Sequence, residues 1–468
     1  MDDSTSRKIR ELENDEQILA FQTDDGIPVY LFAKRLLIYE SIMPLLMGMK
    51  LSEDDSRISR RALTFLLKAL IHNIVHVNGI KNKEIIFYVP SRPILLDGRY
   101  INRYSDQLCA QYDEKSYLIE QTPKDWTWPY PRVNQNVIYD GVANTVQTIM
   151  SKKLIQSDFE AVRRFMKYYN ERVIKSFGNI LNEDRISAII KQVCRLIAKA
   201  RRRSKWLNRK IPASAKLFIM VGASYPTSYL LTKTLKERGI VVADIQHGYI
   251  TRTNHAYGYS DALMKSAVLK KGTADYFLTY GDWWNDQILT PSEKVSIGNP
   301  YRALCVEKFK NHSRNRILII GCGVNTEQCI LLTEKLGNML PDYEVLFRPH
   351  PGEVQATNRL IRSKSSDVRL DPVKEIYESL AISNTVISEI STVLFEAIGI
   401  CEKIIVLDTE QSRYFLPENP FIKCRDADEI IDVVNSDRHI EFDDDKIWKR
   451  NWAHNYKTFV SSVVGNLQ

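Results

Sequence analysis

A chain of 468 residues is too long for one ordinary hydrophobic core and fits two α/β domains plus an elaboration. Hydrophobic residues make up 44% and charged residues 26% of it, which excludes a disordered or fibrous chain. The net charge of +8 is uneven: eleven Lys or Arg and no acid lie between Arg185 and Lys216, which leaves about −3 for everything else.

No apolar run approaches the roughly 20 residues that span a bilayer. The opening Met1-Asp2-Asp3-Ser4-Thr5 is acidic and polar rather than signal-like, so the expected location is the cytoplasm. The seven cysteines are scattered, odd in number and without a Cys-x-x-Cys pair. That pattern suits reduced thiols rather than disulfides or zinc, with Cys322 and Cys329 as packing residues.

Residues 1–213 read as a largely helical elaboration. Within it lies one strand candidate, Glu84 to Val89, followed by Ser91-Arg92-Pro93 and the turn signal Asp97-Gly98-Arg99-Tyr100, either an acceptor loop or a hairpin. Segment 158–205 predicts two long helices broken near Gly178 and Asn182-Glu183-Asp184. In the basic segment 191–210, Val193, Leu196, Ile197 and Ala200 recur at near-helical spacing and Trp206-Leu207 follows. This reads either as a contact with a membrane surface or as a solvated helix packed on the protein by its apolar stripe. Nucleic acid is not expected, because no recognised binding motif accompanies the charge.

From residue 214 the pattern becomes strand, loop, helix, repeated, as in βαβ units with a parallel sheet. Strands are expected at Lys216 to Val221, Ile240 to Ile245, Asp275 to Tyr280 and Lys294 to Ile297, giving a Rossmann-like core over 214–306. The charged stretch Glu307 to Arg316, with Asn311-His312-Ser313, reads as a linker. Beyond it, strands at Arg316 to Ile320, Tyr343 to Phe347, Thr385 to Ile387 and Lys403 to Asp408 predict a second Rossmann-like domain over 307–468. Its last helix is expected to pack back on the first domain, residues 1–306.

Ligands in open α/β sheets bind at the carboxyl edge of the strands, so the edge loops hold the candidates. Gly321-Cys322-Gly323 would let backbone amides approach a phosphate, or is a tight turn. In Arg348-Pro349-His350-Pro351 the prolines stiffen a loop that carries a bidentate phosphate donor, Arg348, and a second donor, His350. Ser388-Glu389-Ile390-Ser391-Thr392 offers hydroxyls and amides at a helix start, as a phosphate site or an ordinary cap. Glu396, one turn on, is a candidate acceptor for ribose hydroxyls. In the first domain Gln246-His247-Gly248 follows its strand directly, with Gly248 expected to give a sharp turn. His247 is the candidate general base and Asp244 a second candidate catalytic group.

The order Gln246-His247-Gly248, Gly298-Asn299-Pro300, Arg348-Pro-His-Pro351 and Ser388-Glu-Ile-Ser-Thr-Val-Leu-Phe-Glu-Ala397 resembles GT-B glycosyltransferases of capsule and surface-polysaccharide clusters. It is also similar to teichoic-acid glycerophosphotransferases and bacterial polysialyltransferases. The resemblance covers roughly residues 214–410. It departs from the glycerophosphotransferases at Tyr249, where they tend to have Thr, and at Glu389, where they have Asp. It implies two Rossmann-like domains facing across a cleft, and a glycosyltransferase that moves a sugar from a nucleotide-sugar donor to a growing glycan or lipid-linked glycan. The donor would lie against Gly321, Gly323, Arg348, His350, Pro351, Ser388, Glu389, Ser391, Thr392 and Glu396, and the acceptor against Gln246, His247, Gly248 and Asn299. No metal or cofactor is called for beyond the nucleotide-sugar substrate, and the expected place of action is the cytoplasm, including the inner face of its membrane. A nucleotide-sugar 2-epimerase and a teichoic-type polyol-phosphate transferase are the alternatives.

Overall fold

The structure, a computed structural model, describes residues 3–46, 60–254, 257–309, 314–323, 325–364, 366–440 and 442–465. The Asn311-His312-Ser313 part of the expected linker lies outside these residues. The chain divides into two compact units, Ser4–Gly298 with Asn451–Gln468, and Asn299–Arg450 with the first residues.

The first unit is built on strands β1 (Ile85–Val89), β4 (Ser116–Glu120), β5 (Val137–Tyr139), β6 (Leu217–Met220), β7 (Val241–Ile245), β8 (Tyr276–Thr279) and β9 (Glu293–Ser296). Between β1 and β4 stands an antiparallel hairpin, β2 (Pro93–Leu96) and β3 (Arg99–Asn102). The seven form one parallel sheet in the order β5-β4-β1-β6-β7-β8-β9. The order reverses between β1 and β6, which makes their carboxyl ends the topological switch point. Both faces are covered, as a parallel sheet requires, and the inner strands β1, β6 and β7 accordingly read as largely apolar runs. Phe87, Leu118, Ile219 and Ala243 enter one core together with Tyr456 and Phe459 of the helix Trp452–Val464. Their neighbours Ile86, Ile119, Phe218 and Val242 enter the other, with Leu207 and Leu235.

This corrects the expected organisation of residues 1–213. They are not only a helical elaboration: β1, β4 and β5 within them are strands of the same sheet. β4 and β5 are short and set among polar and aromatic residues, so they carry no period of their own. The helical part has its own core, where Phe32 of Val29–Leu37, Phe165 and Tyr169 of Gln156–Phe177, and Val193 and Ile197 of Glu183–Lys210 meet. Of the basic segment's apolar stripe, Val193, Ile197 and Ala200 are therefore buried in the protein. Its Arg201 is paired with Asp25 and Asp158. A second correction concerns Arg60–Ile80, whose length and mean hydropathy of 1.3 would suffice to cross a membrane.

The second unit holds β10 (Arg314–Ile320), β11 (Glu344–Arg348), β12 (Ser383–Ser388), β13 (Lys403–Leu407) and β14 (Ile422–Cys424), parallel throughout, in the order β11-β10-β12-β13-β14. Here the order reverses between β10 and β12. Both units are Rossmann-like. The division falls at Gly298, ahead of the expected 306/307, because the helix Pro300–Lys308 is anchored in the second unit. Tyr301 donates to Glu375 at 3.0 Å, and the Arg302 guanidinium lies over the Trp448 ring, 4.8 Å from its centre.

Candidate functional site

In the second unit the switch point lies between the loop that follows β10 and the loop that follows β12. Three edge loops meet there. Gly321 N donates to Arg348 O at 2.9 Å, which ties the first loop to the Arg-Pro-His-Pro loop. A Cβ on Gly321 would stand 2.5 Å from Glu353 Oε1 and 3.2 Å from His350 N, so only glycine permits this approach. Gly323 has φ +85°, a backbone conformation strained for any other residue, and lies beside the His350 ring. On its other side the same loop reaches Glu389, whose Oε2 accepts from Asn325 and whose Oε1 accepts from Thr409 at 2.5 Å. Cys322 Sγ is 3.9 Å from Glu389 Oε2.

His350 is exposed on this edge. Its backbone N–H donates to Glu353 Oε1 at 2.7 Å, and its Nδ1 accepts from Gly352 N at 3.1 Å. With Nδ1 engaged by Gly352 N, Nε2–H is the ring's remaining donor. Pro351, beside it, is exposed as well. Ser391 caps the helix Thr392–Glu396, accepting from Val393 N at 3.2 Å, and its own hydroxyl proton stays available. Among the described residues, the amides of Ile390 and Ser391 and the hydroxyl of Thr392 donate to no other group. A cluster of donors at a switch point is suited to phosphate.

Several expected donor residues do something else. The Arg348 guanidinium is taken up by Asp371 at 2.5 Å and by the carbonyls of Val373 and Lys374, both at 2.7 Å, so it fixes the loop's base. Ser388 is buried and donates to Ile320 O at 2.8 Å, fastening β12 to β10. Glu389 is buried as the shared acceptor of two loops, and Glu396 is buried, with its charge acting on Arg302. These four shape the site from beneath. Glu353, which holds His350 and also accepts from Thr326, was missed by the sequence reading. Its signal was a carboxylate three residues after the histidine, across the Pro-Gly turn.

In the first unit His247 lies two residues after the end of β7. Its ring lies among Tyr104, Tyr225 and Tyr257, with centroids 6.5, 6.0 and 5.9 Å away, and its Nδ1 is buried without a partner. Burial, reinforced by the positive charges of Arg92 and Arg103, pushes it down to about 4, so it is neutral at physiological pH. Arg92 comes just after β1, beside the switch point, and Arg103 and Tyr104 just after the hairpin strand β3. Arg92 falls in the Ser91-Arg92-Pro93 stretch read from sequence as an acceptor loop or a hairpin, whereas Arg103, Tyr104 and Tyr225, at the start of Pro226–Ser228, were not singled out. The place of β1 at the centre of the sheet is what brings Arg92 to the switch point.

The remaining acceptor-side candidates are structural. Asp244 is fully buried and accepts from Gly222 N at 2.8 Å and Ser224 N at 2.7 Å, so it positions the loop after β6. Burial pushes its carboxyl up to about 7 against the pull of those amides. Gln246 is buried, accepts from Tyr280 N at 2.9 Å and donates to Gly248 O at 3.0 Å, which sets the direction of the His247 loop. Gly248 has no positive φ, and a Cβ there would meet nothing within 4 Å, so the turn does not depend on glycine. Asn299 caps Pro300–Lys308 by accepting from Arg302 N at 3.1 Å, and belongs to the second unit.

No protein-family model and no curated protein sequence matches the chain. Among solved structures it is similar to a UDP-GlcNAc 2-epimerase from Neisseria meningitidis bound to UDP-GlcNAc, at 11% identity and TM-score 0.42, covering 82% of this chain and 100% of that one. The wall teichoic acid polymerase TagF aligns at 12% identity and TM-score 0.40, covering 87% and 94%. MurG from Acinetobacter baumannii aligns at 10% identity and TM-score 0.39, covering 82% and 100%.

Proposed function

We propose that the protein is a nucleotide-sugar-dependent glycosyltransferase that extends a surface polysaccharide from the cytoplasmic side. The second unit takes the donor nucleotide and the first takes the acceptor. One observation carries this reading: at the second unit's switch point the His350 Nε2–H, the amides of Ile390 and Ser391 and the hydroxyls of Ser391 and Thr392 are all unengaged donors. Such an array complements the charge that grows on a departing phosphate. The bond broken joins the anomeric carbon to that phosphate, and the bond formed joins the same carbon to an acceptor hydroxyl. His247 accepts the hydroxyl's proton.

Calorimetric titration with CMP, CDP, UDP and GDP tests the donor site. One of them is expected to bind, with affinity falling tenfold or more in His350→Ala and unchanged in His247→Ala, which loses transfer instead. If none binds the wild-type protein, the reading is wrong. Conversion of a nucleotide sugar to its epimer without acceptor would replace it by the 2-epimerase.

A further inference from the structure

The helix Arg60–His76 is apolar on opposite sides. Phe65, Ala69 and His72 are buried, and the helix is held along β5 by His72 Nε2, 2.9 Å from Val137 O, and by Asn73 Nδ2, which donates to Tyr139 O at 2.7 Å. The other side carries Leu63, Leu67, Leu70, Ile71, Ile74 and Val75, which are 45 to 68% exposed. The neighbouring helix Gly141–Met150 adds Val146, Ile149 and Met150, each about half exposed. A helix that is apolar all round belongs in a core or in lipid, and a contiguous exposed apolar patch marks an interaction surface.

The charge around the patch selects the partner. Residues 60–80 and 141–157 contain no acid. A groove of about 580 Å³ runs between these two helices and the last turns of Glu183–Lys210, with Leu70, Ile74 and Val146 on one side and Arg202, Lys205 and Arg209 on the other. Trp206, an interfacial residue type, lines it as well. We propose that this face seats the protein on an anionic lipid bilayer, its leucines and isoleucines entering the acyl region while the basic turns meet the headgroups. Because its other side is fixed to the sheet, Arg60–His76 lies in the plane of the interface rather than spanning it. The apolar anchor thus comes from different helices than the basic segment's own stripe, which is buried.

Co-sedimentation of the full chain with phosphatidylcholine vesicles, with and without phosphatidylglycerol, tests the proposal. Wild type is expected to bind the anionic vesicles and the neutral ones far more weakly. Two variants, Leu67→Gln/Ile71→Gln/Ile74→Gln and Lys205→Glu/Arg209→Glu, change exposed side chains, so melting temperature and nucleotide binding stay unchanged while vesicle affinity falls about tenfold or more in each. Absence of vesicle binding overturns the proposal, as does binding that survives both variants. So does a wild-type dimer in light scattering that the glutamine variant dissociates, since the face then belongs to a second copy.

Discussion

A histidine held near 4 by burial and by Arg92 and Arg103 is always in the proton-accepting form at neutral pH, yet it is a weak base. An anionic group on the acceptor, bound beside the two arginines, would offset their field and raise its basicity part of the way, burial being the larger cause. The acid limb of kcat/KM, which reports the free enzyme, is therefore expected below pH 5, and that of kcat at higher pH. Coincident limbs near 6.5 would remove His247 from the role. The same shift bears on stability. A folded pKa below the unfolded one means that the unfolded chain binds more protons, so this contribution is complete above about pH 6.5 and is lost as pH falls toward 4. His247→Gln should flatten that loss by on the order of 2 kcal/mol, measured by urea unfolding at the two ends of the window. Sequence placed His247 and His350 on edge loops correctly, but could not separate His350 from Arg348. Residues two apart differ in direction, and only the presence of Asp371 and the Val373 and Lys374 carbonyls turns the arginine inward.

Among the elements, the loop after β10 depends most on a single residue. Alanine at Gly321 would press on Glu353 Oε1 at 2.5 Å, and Glu353 cannot move without releasing the His350 amide and Thr326. Gly321→Ala is expected to keep the sheet but lower nucleotide affinity about tenfold, or 1.4 kcal/mol. Calorimetry on a variant with unchanged circular dichroism checks this, and wild-type affinity would show that the loop does not position His350. The strand ends of the second series were legible because each apolar run stops at a glycine, a proline or a small polar residue. β4 was not, because it opens on Ser116 and closes on Glu120 among polar neighbours, and β5 was not, because its three residues hold too few side chains for a pattern to show. Their burial becomes visible only when β1 supplies the neighbour.

For the whole molecule, from Ser4 onward the chain crosses between the units twice, at Gly298 and at Arg450. Each unit keeps a core of its own, the second one including Ile317, Phe347, Ile387, Ile405 and Ile430. A fragment of residues 299–450 is accordingly expected to melt cooperatively by circular dichroism, and a broad, uncooperative melt would show that it needs the rest of the chain. The sequence by itself determined the two βαβ series, because burial on both faces of a parallel strand forces a continuous apolar run that local composition reveals. It also determined which loops stand at the strand ends. Only the tertiary structure decided that the first sheet starts at β1, that Asp244, Gln246 and Arg348 hydrogen-bond neighbouring loops, and that Arg60–His76 leaves its second apolar side uncovered. Strand order, side-chain partners and exposure are set by residues far apart in the chain, and a local pattern contains none of them.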